Sequence, residues 1–205
     1  MKAAIQRAAH IFGFQIRRTT RPRVERKIRG VEDHIRCHHS HDEMMLMADF
    51  LLNSPLKGPM VECGCYKGGS TARLSLLAKE TKRRLFVFDS FQGLPEPGEI
   101  DRTHHWARSG ESLHYRKGEY SGTIDEVRMN IAKFGAIECC EFMPGFFGDT
   151  LRDFPETNLS FVFLDVDYIS SARDCLRWLW PKLVRRTPLY SRSGNARIHS
   201  RDNRS

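Results

Sequence analysis

The chain has 205 residues, with 33 basic and 25 acidic side chains, a net charge of +8 and 40% hydrophobic residues. That is apolar material enough for one domain with tails, so wholesale disorder is excluded, and no run approaches the roughly 20 apolar residues of a membrane span. The charge is uneven: residues 1–29 carry +8, residues 184–205 carry +5 and the body between them −5, which disfavours a nucleic-acid groove built into the fold.

Residues 3–12 have apolar positions at near-helical spacing, with Lys2 and Arg7 among them. They predict a basic helix that packs or frays, with membrane-surface binding the less favoured reading. Residues 17–29, with Pro22, read as a charged linker, so 1–29 forms a basic N-terminal arm. Ser40-His41-Asp42-Glu43 has capping-box spacing and opens a helix through Met44, Met47, Phe50 and Leu51, ending near Asn53. Met60 to Cys63 is a first strand, and Ser70 opens a second helix. Leu85 to Phe88 is a second strand, closed by Asp89. Residues 91–122 read as a long loop, the length of a lid or binding loop. Thr123-Ile124-Asp125-Glu126 caps a helix through Val127, Ile131 and Phe134 that stops at Gly135. Ile137–Met143 and the apolar Leu159–Leu164 are a third and a fourth strand. Ser170 or Ser171 caps a last helix, stopped by Pro181. Alternating strands and helices make an α/β, Rossmann-like doubly wound parallel sheet over residues 30–183. Residues 184–205 lack periodicity and read as a disordered basic tail.

Cysteines 37, 63, 65, 139, 140 and 175 sit mostly in or beside apolar runs, which suits reduced thiols and a cytoplasmic protein. Chemistry concentrates in Val61-Glu62-Cys63-Gly64-Cys65-Tyr66-Lys67-Gly68-Gly69-Ser70, between a strand and a helix. Glycines there let a ligand approach the backbone, and the helix start offers free N–H groups. The spacing is not that of a pyrophosphate-binding G-x-G-x-x-G turn. Asp89, at the end of the next strand, can accept both hydroxyl hydrogens of a ribose. Asp165 and Asp167 follow a buried strand and fall at the carboxyl edge, where α/β ligands bind; at i and i+2 they need not share one ion.

With these motifs the sequence resembles the class I S-adenosylmethionine-dependent methyltransferases, and more narrowly the macrocin O-methyltransferase family, which methylates sugar hydroxyls with the help of magnesium. Phe88-Asp89-Ser90-Phe91-Gln92-Gly93-Leu94-Pro95 is the most specific run. Pro144-Gly145-Phe146-Phe147 and Leu164-Asp165-Val166-Asp167 add to it. The resemblance implies a cofactor site at Glu62, Gly64, Tyr66, Gly68, Ser70, Asp89, Ser90 and Gly145. Glu62 and Gly64 would lie by the methionine part, Asp89 by the ribose and Gly145 near the adenine, while Tyr66 either shapes the pocket or packs. It makes Asp165 a magnesium ligand close to the reacting hydroxyl, and hence the catalytic position. A sugar or other small-molecule hydroxyl is the implied acceptor.

The pattern breaks after Pro181-Lys182-Leu183. The family continues with a Pro-Gly-Gly turn and a fifth strand ending in paired acids; here the chain reads Val184-Arg185-Arg186-Thr187-Pro188. This implies a truncated or frame-shifted product with only the first four core strands, an incomplete magnesium site and an exposed fourth-strand edge open to self-association. Two other functions stand beside the methyltransferase: a cofactor-binding remnant without turnover, and an interaction protein whose basic ends meet an anionic surface. Cys37, His38, His39 and His41 match no standard zinc spacing. His104 and His105 are either solvated or an acceptor-side base.

Overall fold

The structure, a computed structural model, describes residues 20–103, 115–185, 187–191 and 198–199. It opens with helix α1 (Thr20–Glu32) and helix α2 (His41–Asn53). Strand β1 (Met60–Cys63) leads into α3 (Gly69–Thr81), and β2 (Leu85–Asp89) into the short α4 (Glu99–Thr103). Helix α5 (Ile124–Phe134), β3 (Cys140–Pro144) and α6 (Phe147–Thr150) follow. The last elements are β4 (Phe161–Leu164), α7 (Ile169–Leu179), β5 (Pro188–Ser191) and β6 (Ile198–His199).

The strands form one sheet in the order β3-β2-β1-β4-β5-β6, parallel except for β6 on β5. In the central pairs Met60 lies opposite Leu85 on one side and Phe161 on the other. Alternation along the strands sends side chains to two cores. Met60, Leu85, Val87, Phe161 and Phe163 pack under α1, α2, α3 and α5. Val61, Cys63, Phe86, Phe88, Val162 and Leu164 face Leu151, Phe154, Cys175 and Leu179. With both faces covered, β1 and β4 are buried at every residue, which is why they read as unbroken apolar runs. The strand order reverses between β1 and β4, and there the carboxyl ends open a crevice.

The capping box at Ser40 forms in full, with Ser40 Oγ accepting from the Glu43 N–H and Glu43 accepting from the Ser40 N–H. Thr123 caps α5 and Gly135 ends it.

Several expectations are corrected. Residues 20–32 are a helix and not a linker: Val24, Ile28 and Val31, at i, i+4 and i+7, are all buried. Each such side chain contributes roughly 1.5–3 kcal/mol, and Pro22 sits in the first turn, where its missing N–H costs nothing. The body therefore begins upstream of residue 30. The third strand starts at Cys140, after a 3₁₀ turn over Ile137–Cys139. The fourth starts at Phe161, with Leu159 making an isolated parallel bridge to Leu183. The 91–122 stretch contains α4. Its His104 and His105, like residues 3–12, lie outside the described residues.

The largest correction concerns the sheet. It does not stop at four parallel strands, and residues 187–191 are not a structureless tail. Strand β5 pairs with β4, Val162 opposite Leu189, and buries Thr187 and Leu189. The Thr187 hydroxyl donates to the Leu159 carbonyl at 2.7 Å. Pro188 is tolerated as the first residue of the strand. The fourth strand is therefore interior, and the edge expected there moves outward. No helix among the described residues is long and apolar enough to cross a membrane.

Candidate functional site

Every loop at the carboxyl edge between β2 and β4 is held by backbone geometry that the sequence enforces. Gly64, just after β1, has φ +88°, and a Cβ there would overlap the carbonyl oxygen of Asp165 after β4. Only glycine lets the two strand ends approach so closely. Asp89, at the end of β2, reaches across to the same turn. Its Oδ2 accepts from the N–H groups of Cys65 at 2.7 Å and Tyr66 at 3.4 Å, while its Oδ1 accepts from Phe91 N–H at 2.8 Å. Ser90 Oγ accepts from the Gln92 N–H and donates to the Gly93 carbonyl. The Gly145 N–H donates to the Asp89 carbonyl at 2.9 Å, tying the loop after β3 to β2.

These loops and the start of α7 surround a cavity of about 360 Å³, within the size range of small-molecule and cofactor sites. Gly64, Asp89, Ser90 and Gly145 line it together with Asp165, Asp167 and Asp174, and Tyr66, Tyr120, His38, Phe146 and Phe147 supply rings. Asp101 on α4 joins the wall by capping α7, accepting from Ser170 N–H at 2.9 Å and Ser170 Oγ at 2.7 Å. The cap of α7 thus comes from 69 residues away, and Ser170 is its donor, contrary to the expectation that a serine would itself cap.

Of the expected site residues, Gly64, Tyr66, Asp89, Ser90, Gly145 and Asp165 meet in this cavity, whereas Glu62, Gly68 and Ser70 do not line it. Gly68 is the N-cap of α3, in the left-handed region at φ +84°, and helix α3 starts at Gly69 rather than Ser70. Glu62 points into the layer beneath α3 and is fully buried, with no hydrogen bond on either oxygen. Burial pushes its carboxyl up to about 7; the hydroxyls of Ser70 and Thr71 pull the other way without closing a bond.

His39 is the residue the sequence did not assign. It is buried, and its Nε2–H donates to Asp165 Oδ2 at 2.7 Å. Its carbonyl accepts from the buried Arg73, and its ring packs edge-on against Phe163. Burial lowers its pKa, but the hydrogen bond and charge of Asp165, with Glu43 and Glu62 behind, outweigh that, so the imidazole is held above its ordinary value. Asp165 is therefore engaged by a cation-forming side chain at the position where the resemblance expects a metal ligand. Among the described residues no three His, Cys, Asp or Glu side chains group to hold a metal. The described residues therefore do not fit magnesium. The same holds for zinc at Cys37, His38, His39 and His41: His39 turns to Asp165, and His41 to Glu32 at 2.7 Å.

A doubly wound sheet with its crevice at the β1/β4 reversal, a glycine turn after β1 and an acid at the end of β2 define the class I methyltransferase fold. The model of the macrocin-O-methyltransferase (TylF) family matches residues 38–186, and the chain belongs to that family. It is 32% identical over 146 residues to the 8-demethyl-8-(2,3-dimethoxy-alpha-L-rhamnosyl)-tetracenomycin-C 4'-O-methyltransferase of Streptomyces olivaceus, covering 69% of this chain and 55% of the relative. It is 31% identical over 137 residues to the demethyldecarbamoylnovobiocin O-methyltransferase of Streptomyces niveus, covering 65% and 51%. The chain thus spans about half the length of these curated relatives. The solved O-methyltransferase NovP superposes with a TM-score of 0.61 at 27% identity, over 73% of this chain and 62% of that one. The calicheamicin methyltransferase CalS11, at 14% identity, shares the fold with a TM-score of 0.58, over 86% and 79%.

Proposed function

We propose that the chain binds S-adenosylmethionine and transfers its methyl group to a hydroxyl of a sugar or other small molecule. The observation that carries the reading is the convergence of Gly64, Asp89 and Gly145, from three strand ends, on one cavity. Family membership and the relatives' names support the same reaction and acceptor class. The cofactor supplies a methyl group on a positive sulfonium. Asp89 already holds the glycine turn through Oδ2 and the loop after β2 through Oδ1, and Oδ1, with a single hydrogen bond, keeps a second lone pair for a ribose hydroxyl. Gly64 and Gly145 line the cavity where the methionine part and the adenine would lie, and the missing Cβ of Gly64 lets the Asp165 end of β4 close against it. To Asp165, which lines the cavity at the end of β4 and is held by His39, this reading gives the role of orienting the acceptor hydroxyl and taking up its proton. Methyl transfer from a sulfonium needs little covalent help, so proximity and orientation supply most of the acceleration. A cytoplasmic setting belongs to the same reading, supported by the apolar burial of Cys63 and Cys175, which suits reduced thiols.

The test is incubation of the full chain with S-adenosylmethionine carrying a labelled methyl group and a panel of glycosylated acceptors. Labelled O-methyl product, lost in Asp165→Asn, is expected. Cofactor binding with no product on any acceptor would instead support a binding remnant.

A further inference from the structure

Three rings from three separate segments meet on one wall of the cavity: His38 ahead of α2, Tyr66 in the glycine turn and Tyr120 ahead of α5. Their centroids are mutually close, at 5.9 Å for Tyr66–Tyr120, 5.9 Å for His38–Tyr66 and 5.7 Å for His38–Tyr120. Both tyrosines are in the left-handed backbone region, with φ +50° and +55°, which L side chains other than Asn and Asp seldom adopt. Such strain persists only where surrounding structure imposes it, and it concentrates at ligand sites.

Here the imposing contacts are visible. A Cβ on Gly122 would overlap the Tyr66 carbonyl oxygen, so the two tyrosine segments lie directly against each other. The Leu94 N–H donates to the Glu119 carbonyl and the Gly118 N–H to the Leu94 carbonyl, each at 2.9 Å, fastening the Tyr120 segment to the loop after β2. The same cavity is lined by Asp89, Asp165, Asp167 and Asp174 and, among the described residues, by no lysine or arginine. Ring faces in a negatively charged, partly enclosed space favour a cation. Tyr66 already has one cation over its ring, Lys67 Nζ at 5.9 Å from the centroid.

We propose that the His38–Tyr66–Tyr120 wall recognises the positive charge of the methyl donor and makes the pocket prefer S-adenosylmethionine to its product, S-adenosylhomocysteine. The inference rests on the cofactor reading above. In the reaction the S–CH₃ bond breaks, an O–CH₃ bond forms and the hydroxyl proton leaves, so the sulfonium becomes a neutral thioether. The ring contribution is present for the substrate cofactor and gone for the product, which favours exchange of spent cofactor for fresh.

The test is calorimetric titration of the full chain with each of the two compounds, for wild type, Tyr120→Leu, Tyr66→Leu and Tyr120→Phe. Wild type is expected to prefer S-adenosylmethionine. Each leucine variant should lose about fivefold of that preference, the scale of one cation–π contact, while holding S-adenosylhomocysteine nearly as wild type does, which also shows that the pocket is intact. Tyr120→Phe should keep the preference. An equal loss of both compounds in the leucine variants would overturn the proposal, because the wall would then be holding the part they share. Equal affinity of wild type for the two would also overturn it and leave the cofactor reading standing. Binding of neither compound by wild type would overturn both.

Discussion

Replacing Asp89 by alanine separates two roles that a sequence motif merges. In a ligand-only role the carboxylate waits for a ribose, and its removal leaves the empty protein unchanged. The structure adds a second role, because two short bonds, from Cys65 N–H at 2.7 Å and Phe91 N–H at 2.8 Å, hold the glycine turn and the loop after β2. The 3.4 Å contact from Tyr66 N–H adds little. Hydrogen bonds to a charged acceptor contribute about 1.5–3 kcal/mol each, and the side chain is only partly buried, so Asp89→Ala should destabilise the protein by about 2–4 kcal/mol. At about 2–4 °C per kcal/mol for a chain of this size, Tm falls by roughly 4–16 °C. Asp89→Asn keeps one acceptor oxygen and should fall less. Thermal unfolding without cofactor, followed by far-UV circular dichroism, reads the effect. An Asp89→Ala protein with unchanged Tm that has lost only cofactor affinity would refute the reasoning and leave the carboxylate a ligand-binding group alone.

Other expectations follow from single residues. Glu62 holds its proton in the folded state up to about pH 7, above the unfolded carboxyl value near 4.5. Its stability contribution is therefore fullest below pH 4.5 and declines until about pH 7, by roughly 3 kcal/mol. Urea midpoints at pH 5 and pH 7.5 should converge in Glu62→Gln, and an unchanged gap would mean that another group sets the slope. His39→Ala removes the imidazole from a carboxylate that is only 16% exposed and should cost about 2–3 kcal/mol in denaturant unfolding, less than for a fully buried pair. Gly64→Ala forces a Cβ into the Asp165 carbonyl oxygen and should abolish soluble, folded protein, whereas Gly118→Ala, with open space around its Cβ position, is strained only at its φ of +82° and should be far milder. Leu189→Ala, at a residue 1% exposed in β5, should cost about 2–4 kcal/mol; a silent substitution would show that β5 is not part of the folded sheet.

Much of the fold was written in local patterns. The apolar runs of β1, β2 and β4, the Ser40 capping box and the Gly135 stop needed no tertiary knowledge. Helix α1 escaped notice because Pro22 and the basic side chains of Arg21, Arg23, Arg26, Lys27 and Arg29 mask the Val24, Ile28 and Val31 stripe, and only burial against α3 shows which period counts. Strand β5 is four residues long and begins with proline, so its signal is supplied by the neighbouring β4 rather than by its own composition. At the site, the residues after each strand were legible because the carboxyl edge of such a sheet is where ligands bind. His39 was not, because its partner Asp165 lies 126 residues away. Tyr120 was hidden in the same way: its ring reaches the cavity only because Leu94 and Gly118 close the base of their loop. Glu62 shows the opposite case. It sits in the most suggestive motif of the chain, and strand alternation still turns its side chain away from the cavity.

The central claim is that the cavity at the β1/β4 reversal is a cofactor site. Calorimetric titration of the full chain with S-adenosylmethionine tests it most directly. The account predicts saturable one-to-one binding that is strongly weakened by Gly145→Val, a substitution at φ +138° on the cavity wall. No heat of binding from a protein shown by circular dichroism to be folded would contradict it.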